Sequence, residues 1–321
     1  MYIIGTCRIR YTQVMSPTHP VITHIKNEYI NYRMNILITG ANGQLGNEMR
    51  VLSAKHSKHS YFFTDVVESD GVYMLNITDK QAVSAFVAEH GIDLIVNCAA
   101  YTNVDKAEED EATAMKINAE ALSVLGNQGV KVIHVSTDYV FSGDEHVPCR
   151  ETDPVAPRTA YGRTKYEGEK LLLAACPDAV ILRTAWLYSE YGNNFVKTMI
   201  RLGKEKESLG VVFDQIGTPT YAADLAWAIF TVIEAPVWHA GIYHFTNEGV
   251  CSWYDFTLAI HELAGITKCQ VRPILSEEYA YKTPRPHYSV LDKSKFKKTF
   301  GVEIPHWMDG LRRCMERIGN W

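Results

Sequence analysis

The sequence predicts an α/β chain: a doubly wound parallel sheet covered by helices on both faces, followed by a smaller α/β lobe. Three observations predict it. Between Met34 and Thr184, short apolar runs alternate with helix-period segments, as repeated strand–helix–strand units require. Runs such as Leu94-Ile95-Val96 and Val180-Ile181-Leu182 are continuously apolar rather than alternating, which fits strands buried on both faces. The first run also leads straight into a glycine-rich turn and a helical pattern, Gly40-Ala41-Asn42-Gly43-Gln44-Leu45-Gly46.

The elements follow in order. Residues 35–39 form a buried-type strand, and the glycine turn leads into a helix ending near residue 55. Residues 61–66 are the second strand. Thr78-Asp79-Lys80-Gln81 has the form of a capping box and opens a helix through Glu89-His90, with Gly91 as its stop. Residues 93–100 form the third strand, 108–128 one helix stopped near Gly129, and 131–137 the next strand. A helix over 160–175 closes before Pro177, and 179–184 is again a strand. Beyond Thr184 the pattern is less regular and rich in proline and aromatic residues. Helices are expected there at 194–202, 222–234, 253–263 and 307–317, and strands at 209–213, 241–245 and 271–274. We read 34–184 as a dinucleotide-binding domain. Residues 185–321 are mainly a substrate-covering lobe, some of whose strands extend the main sheet.

Composition narrows the function classes. The chain has 321 residues, 46% hydrophobic and 21% charged, with a net charge of -5, ordinary for a globular protein. It has no Lys/Arg-rich run, so nucleic acid is a poor partner. No apolar run approaches the roughly 18 residues of a membrane span. The seven cysteines are scattered and form no C-x-x-C pair. That argues against a zinc site or disulfide framework and for small buried thiols in a reducing cytoplasm. Residues 1–33 contain Ser16-Pro17 and His19-Pro20 and lack periodicity. They read as an upstream extension with little ordered structure before a natural start at Met34, the alternative being an atypical N-terminal arm. They lack the apolar core and cleavage site of a secretory signal.

The turn 40–46 spaces its glycines as G-x-x-G-x-x-G. Gly40 permits the tight turn, Gly43 lets backbone approach a pyrophosphate, and Gly46 lets helix and strand pack closely. The unpaired N–H groups of the helix start then face the phosphates. The expected fold is therefore Rossmann-type. Asp65, at the end of the second strand, stands where a carboxylate binds the adenosine ribose. Its charge repels a 2′-phosphate, which leans toward NADH without excluding NADPH. Asn76-Ile77 lies at the adenine edge, and the small residues of Cys98-Ala99-Ala100-Tyr101 let a cofactor lie close.

Tyr161 and Lys165 share a helix face. An ammonium beside a phenol lowers its pKa, giving a group able to pass a proton in ketone reduction or alcohol oxidation. Alone, the spacing is a weak signal, since chance produces it often and a solvated i,i+4 pair is its ordinary reading. Thr137 ends its strand at the sheet's carboxyl edge, where open α/β sheets bind ligands, and its hydroxyl can donate to a carbonyl oxygen. Asn118 is either a relay toward the lysine or a structural polar residue.

The glycine turn, Asn97–Asp105, Ser136–Phe141, Tyr161–Lys165, Arg183-Thr184-Ala185-Trp186 and Arg285-Pro286 occur in this order. Together they resemble the extended short-chain dehydrogenase/reductase superfamily and, within it, the dTDP-4-dehydrorhamnose reductase family, from Met34 to near the C-terminus. The resemblance implies NADPH or NADH as cofactor, held by Gly40, Gly43, Gln44, Leu45, Gly46, Asp65, Asn76, Ile77, Ala99, Ala100 and Tyr101 with Tyr161 and Lys165. It implies Thr137, Tyr161 and Lys165 as catalytic residues. It implies a dTDP-linked 4-keto-6-deoxyhexose held by Thr102, Val104, Asp105, Thr137, Trp186 and Arg285. Without it, Trp186 would read as a core tryptophan. Arg285 suits a diphosphate because guanidinium pairs with it bidentately.

Two departures stand out. Family members often carry Asp where Asn76 stands; an amide oxygen still accepts from adenine's amino group. Some members bind Mg2+ through glutamates at a homodimer interface, and Glu48 stands where one ligand would, although an exposed helix glutamate is the default reading. The implied reaction is reduction of a C4 ketone in dTDP-rhamnose synthesis. A sugar-nucleotide 4,6-dehydratase or epimerase is the rival enzyme, but a dehydratase carries an acidic pair after the threonine, and here Asp138 is followed by Tyr139. A non-catalytic subunit like that of methionine adenosyltransferase is the rival from another class.

Overall fold

The computed structural model describes residues 33–279 and 283–319; the extension before Arg33 lies outside the described residues. Its frame is a seven-stranded, wholly parallel sheet. The strands are β1 (Asn35–Thr39), β2 (Ser60–Asp65), β3 (Tyr73–Met74), β4 (Leu94–Asn97), β5 (Lys131–Thr137) and β6 (Val180–Thr184). The seventh belongs to the later chain. Between them run α1 (Gln44–Ser53), α2 (Lys80–Glu89), α3 (Val104–Glu109), α4 (Glu111–Met115), a π-helical turn (Lys116–Glu120), α5 (Ala121–Gly126) and α6 (Ala160–Ala175).

The strand order explains the continuous apolar runs. Ile36, Ile38, Leu94, Val96, Val180 and Leu182 face one side, with Met49 of α1. Their neighbours Leu37, Ile95, Val132 and Ile181 face the other, with Val83 of α2, Leu122 and Leu125 of α5 and Leu172 of α6. Both faces are dry, so no strand position is free to be polar without a partner.

Past β6 the chain forms β7 (Leu187–Tyr188), α7 (Phe195–Glu205), β8 (Ser208–Val212), β9 (Ile216–Gly217), β10 (Thr220–Tyr221) and α8 (Ala222–Ile233). Then come β11 (Gly241–His244), β12 (Cys251–Ser252), α9 (Trp253–Leu263), β13 (Gln270–Ile274), α10 (Ser294–Phe300) and α11 (Trp307–Ile318). α8 packs on α1, and β11 adds to the sheet beside β6. β8 and β13 make a separate parallel pair. α7, α9 and α11 bury a second core around Val196, Phe256, Ile260 and Leu311.

Short polar side chains account for two departures from the expected elements. The expected single helix 108–128 is three α-segments and a π-turn, and it begins earlier, at Val104, where Asn103 Oδ1 accepts from Lys106 N at 3.0 Å. Asp110 breaks it with φ -142° and ψ 68°, and its carboxylate then caps α4 through Thr113 N at 3.0 Å. An Asp that can cap competes with the helix that would pass through it. At α2 the N-cap is Asp79, accepting from Gln81 N and Ala82 N at 3.0 Å each. The expected cap, Thr78, instead bonds the side chain of Asn76. β3 and α10 were not foreseen. The six described cysteines are free, five buried and Cys98 half-buried.

Candidate active site

The carboxyl ends of β1, β4, β5 and β6 border a cleft of about 700 Å³. It sits where neighbouring strands β1 and β4 send their connections in opposite directions, the switch point at which such sheets take ligands. The glycine turn forms its floor. Gly40 has φ +69°, and a Cβ there would stand 2.6 Å from Ala99 N, so the β1 and β4 turns are in backbone contact. A Cβ on Gly46 would stand 2.2 Å from Gly40 O. Gly46→Ala is expected to cost about 1–3 kcal/mol of stability, by overpacking against backbone that cannot yield. Urea unfolding beside a dinucleotide fluorescence titration checks this, with affinity falling in parallel. α1 has no side-chain cap at Gly43, which leaves its first N–H groups to face the cleft.

Most of the expected cofactor residues line this cleft: Gly40, Gly43, Gln44, Leu45, Gly46, Asp65, Asn76, Ile77, Ala99 and Ala100. Asp65 is engaged on both oxygens, Oδ2 accepting from Asn42 N at 3.0 Å and Oδ1 from Val66 N at 2.7 Å. Asn76 corrects an expectation: its Oδ1 already accepts from Thr78 N at 3.0 Å and from the Thr78 hydroxyl at 2.9 Å. Both lone pairs are used locally, so the oxygen is no open acceptor for an adenine. Tyr101 is not on the cleft wall. Its backbone is clamped by Asn118, whose Oδ1 accepts from Tyr101 N at 2.8 Å and whose Nδ2 donates to Tyr101 O at 3.1 Å. Its ring packs with Tyr161 against Ala107, Ala114 and Ala160. Asn118 also donates to Thr164 Oγ1 at 3.1 Å. These contacts favour the structural reading of Asn118.

Thr137, Tyr161 and Lys165 all line the cleft. Thr137 Oγ1 accepts from Tyr139 N at 3.2 Å and donates to Asp138 Oδ1 at 2.9 Å. Burial pushes Asp138 up to about 7 against its hydrogen bonds, and its Oδ2 has no partner. Burial pushes Tyr161 up to about 12, partly offset by the Thr137 hydroxyl. This corrects the expectation that Lys165 lowers the phenol. The lysine is turned to the sheet instead, with Nζ 3.0 Å from His134 Nε2 and donating to Val135 O at 2.7 Å. Burial holds it down at about 7, against the attraction of Glu169.

Asp138 also carries a pH signature. Its folded pKa lies above that of a free carboxyl, so between about 4 and 7 the folded chain holds a proton that the unfolded chain has lost. Its contribution to stability therefore falls as pH rises through that window. Urea midpoints of Asp138→Asn relative to wild type are expected to improve steadily from pH 4 to pH 7; a constant difference would refute the assignment.

A second chamber of about 710 Å³ adjoins the cleft and shares Thr102, Val104, Tyr139 and Trp186 as a common wall. Trp186 has φ 49°, uncommon for a bulky residue, and its ring stacks on Trp253 at 3.5 Å and 9°. Arg285 lies on the chamber wall. Asp105 does not line the cavity; its Oδ2 accepts from Arg285 Nη2 at 2.9 Å and pins that side chain. Sequence reading missed Asn193 and Asn194, which reach the cleft from the start of α7. Asn194 Nδ2 donates to Gln44 Oε1 at 2.9 Å. The signal was there, since an Asn before an apolar-periodic segment is an N-cap that can also face a neighbour. Trp253 was missed too, read only as a helix start.

Glu48 is not the exposed helix glutamate expected. It is 2% exposed, with Oε1 accepting from the Ser189 hydroxyl at 3.2 Å and Oε2 from Arg317 at 3.0 Å, while Arg317 also donates to Glu190 at 2.8 Å. Burial and the adjoining Glu190 push Glu48 up to about 8 against the pull of Arg317. Among the described residues no cluster of three or more His, Cys, Asp or Glu could hold a metal. With an arginine in the group, these residues do not fit Mg2+. Nor is any described helix long and apolar enough to cross a membrane.

Comparison with known proteins adds to this geometry. Residues 34–320 match the family model for the RmlD substrate binding domain. The chain is 39% identical over 290 residues to the dTDP-4-dehydrorhamnose reductase of Aggregatibacter actinomycetemcomitans, covering 86% of this chain and 97% of that protein. Its fold is similar to the crystal structure of a dTDP-4-dehydrorhamnose reductase from Clostridium acetobutylicum, with TM-score 0.83 and 43% identity over 89% of this chain and 99% of that one. A Bacillus anthracis dTDP-4-dehydrorhamnose reductase in complex with NADP is similar at TM-score 0.82 and 37% identity, over 89% of this chain and all (100%) of that one.

Proposed function

The chain belongs to the RmlD substrate-binding-domain family, that of the dTDP-4-dehydrorhamnose reductases, and from its site we propose how it reduces the C4 ketone of dTDP-4-dehydro-β-L-rhamnose to dTDP-β-L-rhamnose. One observation carries the reading: a threonine, a tyrosine and a lysine line a glycine-floored cleft that shares a wall with a second, aromatic chamber. A dinucleotide belongs in the first and a sugar nucleotide in the second, with the ketone at the shared wall. Residues 34–184 then bind the cofactor, and the lobe after Thr184 mainly holds the substrate.

The reduced nicotinamide supplies a hydride to C4. The protein supplies orientation and the proton. Tyr161, held up at about 12, is fully protonated at neutral pH and is the donor to the developing alkoxide. Thr137 supports it according to the state of Asp138. As a carboxylate, Asp138 takes the Thr137 hydroxyl hydrogen; as the acid, it gives its own and frees Thr137 to donate to the ketone oxygen. Lys165, once an ammonium, stabilises negative charge on the phenolate left behind. Asp105 holds Arg285 at the chamber wall, where a guanidinium suits a diphosphate. Trp186, braced by Trp253, is a flat surface for the deoxysugar end.

NADPH is our preferred cofactor, supported by the NADP complex of the relative and by the backbone N–H groups that already engage Asp65. Tyr139 at the position after Asp138 leaves no second carboxyl there for elimination, which favours reduction over dehydration. The decisive experiment is turnover of the 4-keto sugar nucleotide with NADPH and with NADH, with the product identified by NMR. No reduction of any member of a panel of nucleotide-linked keto-sugars, together with stable capture of a synthetase subunit, would replace this reading with the regulatory one.

A further inference from the structure

Three polar residues stand in register across the centre of the sheet. Thr39 of β1 pairs with Asn97 of β4, and Asn97 with His134 of β5. They are 1%, 0% and 0% exposed, and Lys165 beside them is 1% exposed. Such residues in the middle of a dry sheet carry a desolvation cost unless each is bonded, and here they bond one another. Thr39 Oγ1 donates to Asn97 Oδ1 at 2.5 Å, Asn97 Nδ2 lies 2.9 Å from His134 Nδ1, and His134 Nε2 lies 3.0 Å from Lys165 Nζ.

The direction of each bond follows from chemistry. Asn97 Nδ2 also faces Ala99 O at 3.3 Å. A carbonyl can only accept, so the amide NH₂ lies on that side, and its second hydrogen points to His134 Nδ1. Nδ1 is therefore the acceptor, and the neutral ring carries its hydrogen on Nε2. That hydrogen points at Lys165 Nζ. An ammonium there would oppose hydrogen to hydrogen, whereas a neutral amine accepts from Nε2–H and still donates to Val135 O at 2.7 Å.

Resting on the reading of Lys165 as a member of the catalytic set, we propose that His134, oriented by Thr39 and Asn97, is a positioning residue that parks Lys165 on the sheet as a neutral amine and releases it toward the cleft when it becomes an ammonium. The proton comes from solvent in the cleft. None passes along the ladder, because an amide side chain does not relay one under these conditions. The surrounding charges agree. Glu169, one turn on from Lys165, attracts positive charge, but both its oxygens are bonded by Arg183 of β6 at 2.9 and 2.6 Å. Tyr161, one turn back, is neutral, and Asp138 lies past the end of β5. Burial depresses both Lys165 and His134, the histidine well below its ordinary range.

The test needs no sugar substrate, so its failure is distinct from a failure of the proposed reaction. In ¹⁵N-histidine NMR of the full chain, with His134 assigned by its loss in His134→Gln, the expected form at neutral pH is the Nε2–H tautomer. An Nδ1–H tautomer or an imidazolium would overturn the proposal. Asn97→Leu removes the donor at Nδ1 without adding a charge, lets the ring hydrogen move there and bares Nε2 for an ammonium. The Lys165 ¹³Cε titration, assigned by Lys165→Arg, is then expected to move up by about one unit, a tenfold gain in proton affinity. A midpoint left unchanged would also overturn it. His134→Gln retains an amide donor toward Nζ and is expected to titrate as wild type. If Asn97→Leu does not fold, the wild-type tautomer and His134→Gln decide.

Discussion

Tyr161→Phe is expected to lower ketone reduction by about 10²–10⁴-fold, the span that a positioned general acid contributes. Dinucleotide affinity and the unfolding midpoint are expected to stay near wild type. The separation follows from what the side chain does in the fold. Its ring meets Tyr139 edge-on, with centroids 5.4 Å apart at 75°, and covers the alanines between α3, α4 and α6. Phenylalanine keeps both contacts. What is lost is the phenol hydroxyl, which burial keeps protonated at neutral pH. The Thr137 hydroxyl remains, but with Asp138 ionised its hydrogen is committed elsewhere. Steady-state rates with a saturating cofactor, beside a thermal melt, check this. A variant keeping more than a tenth of wild-type turnover would remove Tyr161 as the proton donor.

Arg183→Met carries the largest expected effect on stability, a loss of about 3–5 kcal/mol, because it strands a buried carboxylate. Arg183 and Glu169 are each 1% exposed. Nε and Nη2 of the arginine meet the two oxygens of Glu169 at 2.9 and 2.6 Å, joining β6 to α6. The guanidinium also lies over Phe141, 5.2 Å from the ring centroid. Removing both charges together, as Arg183→Met with Glu169→Leu, is expected to recover most of the loss, since the penalty lies in the uncompensated charge rather than in the missing attraction. Urea unfolding of the two single variants and the double measures the coupling. Additive effects would show that the pair acts as two independent residues.

The sheet was legible because β1, β4 and β6 carry apolar runs buried on both faces, a pattern that few other folds tolerate. The bounds of α6 and α9 match those expected, and the structure shows Thr159 and Ser252 capping their starts. The interruption at Asp110 was not. An Asp inside a helix-period stretch reads as a surface residue until its backbone is seen to leave the helix. The candidate site was legible as residue types along the chain, but not as bonds. Lys165 and Tyr161 were found, yet the partner of the lysine is His134 on a strand, which only the register reveals. Glu48 was placed on an exposed face because Arg317, its partner, lies on the last helix. Trp253 was read as a helix start, since nothing in its own segment announces Trp186.

The position of β11 has a consequence for synthesis. Residues 241–244 pair with β6 along Val180–Arg183, so that edge stays bare while roughly 60 further residues are made. An unpaired strand buried on both faces in the finished protein is sticky to any neighbour that offers a matching row of amides. Nascent chains halted before residue 241 should therefore aggregate or hold chaperones. A pulse of translation stalling placed after that point should release a self-contained sheet.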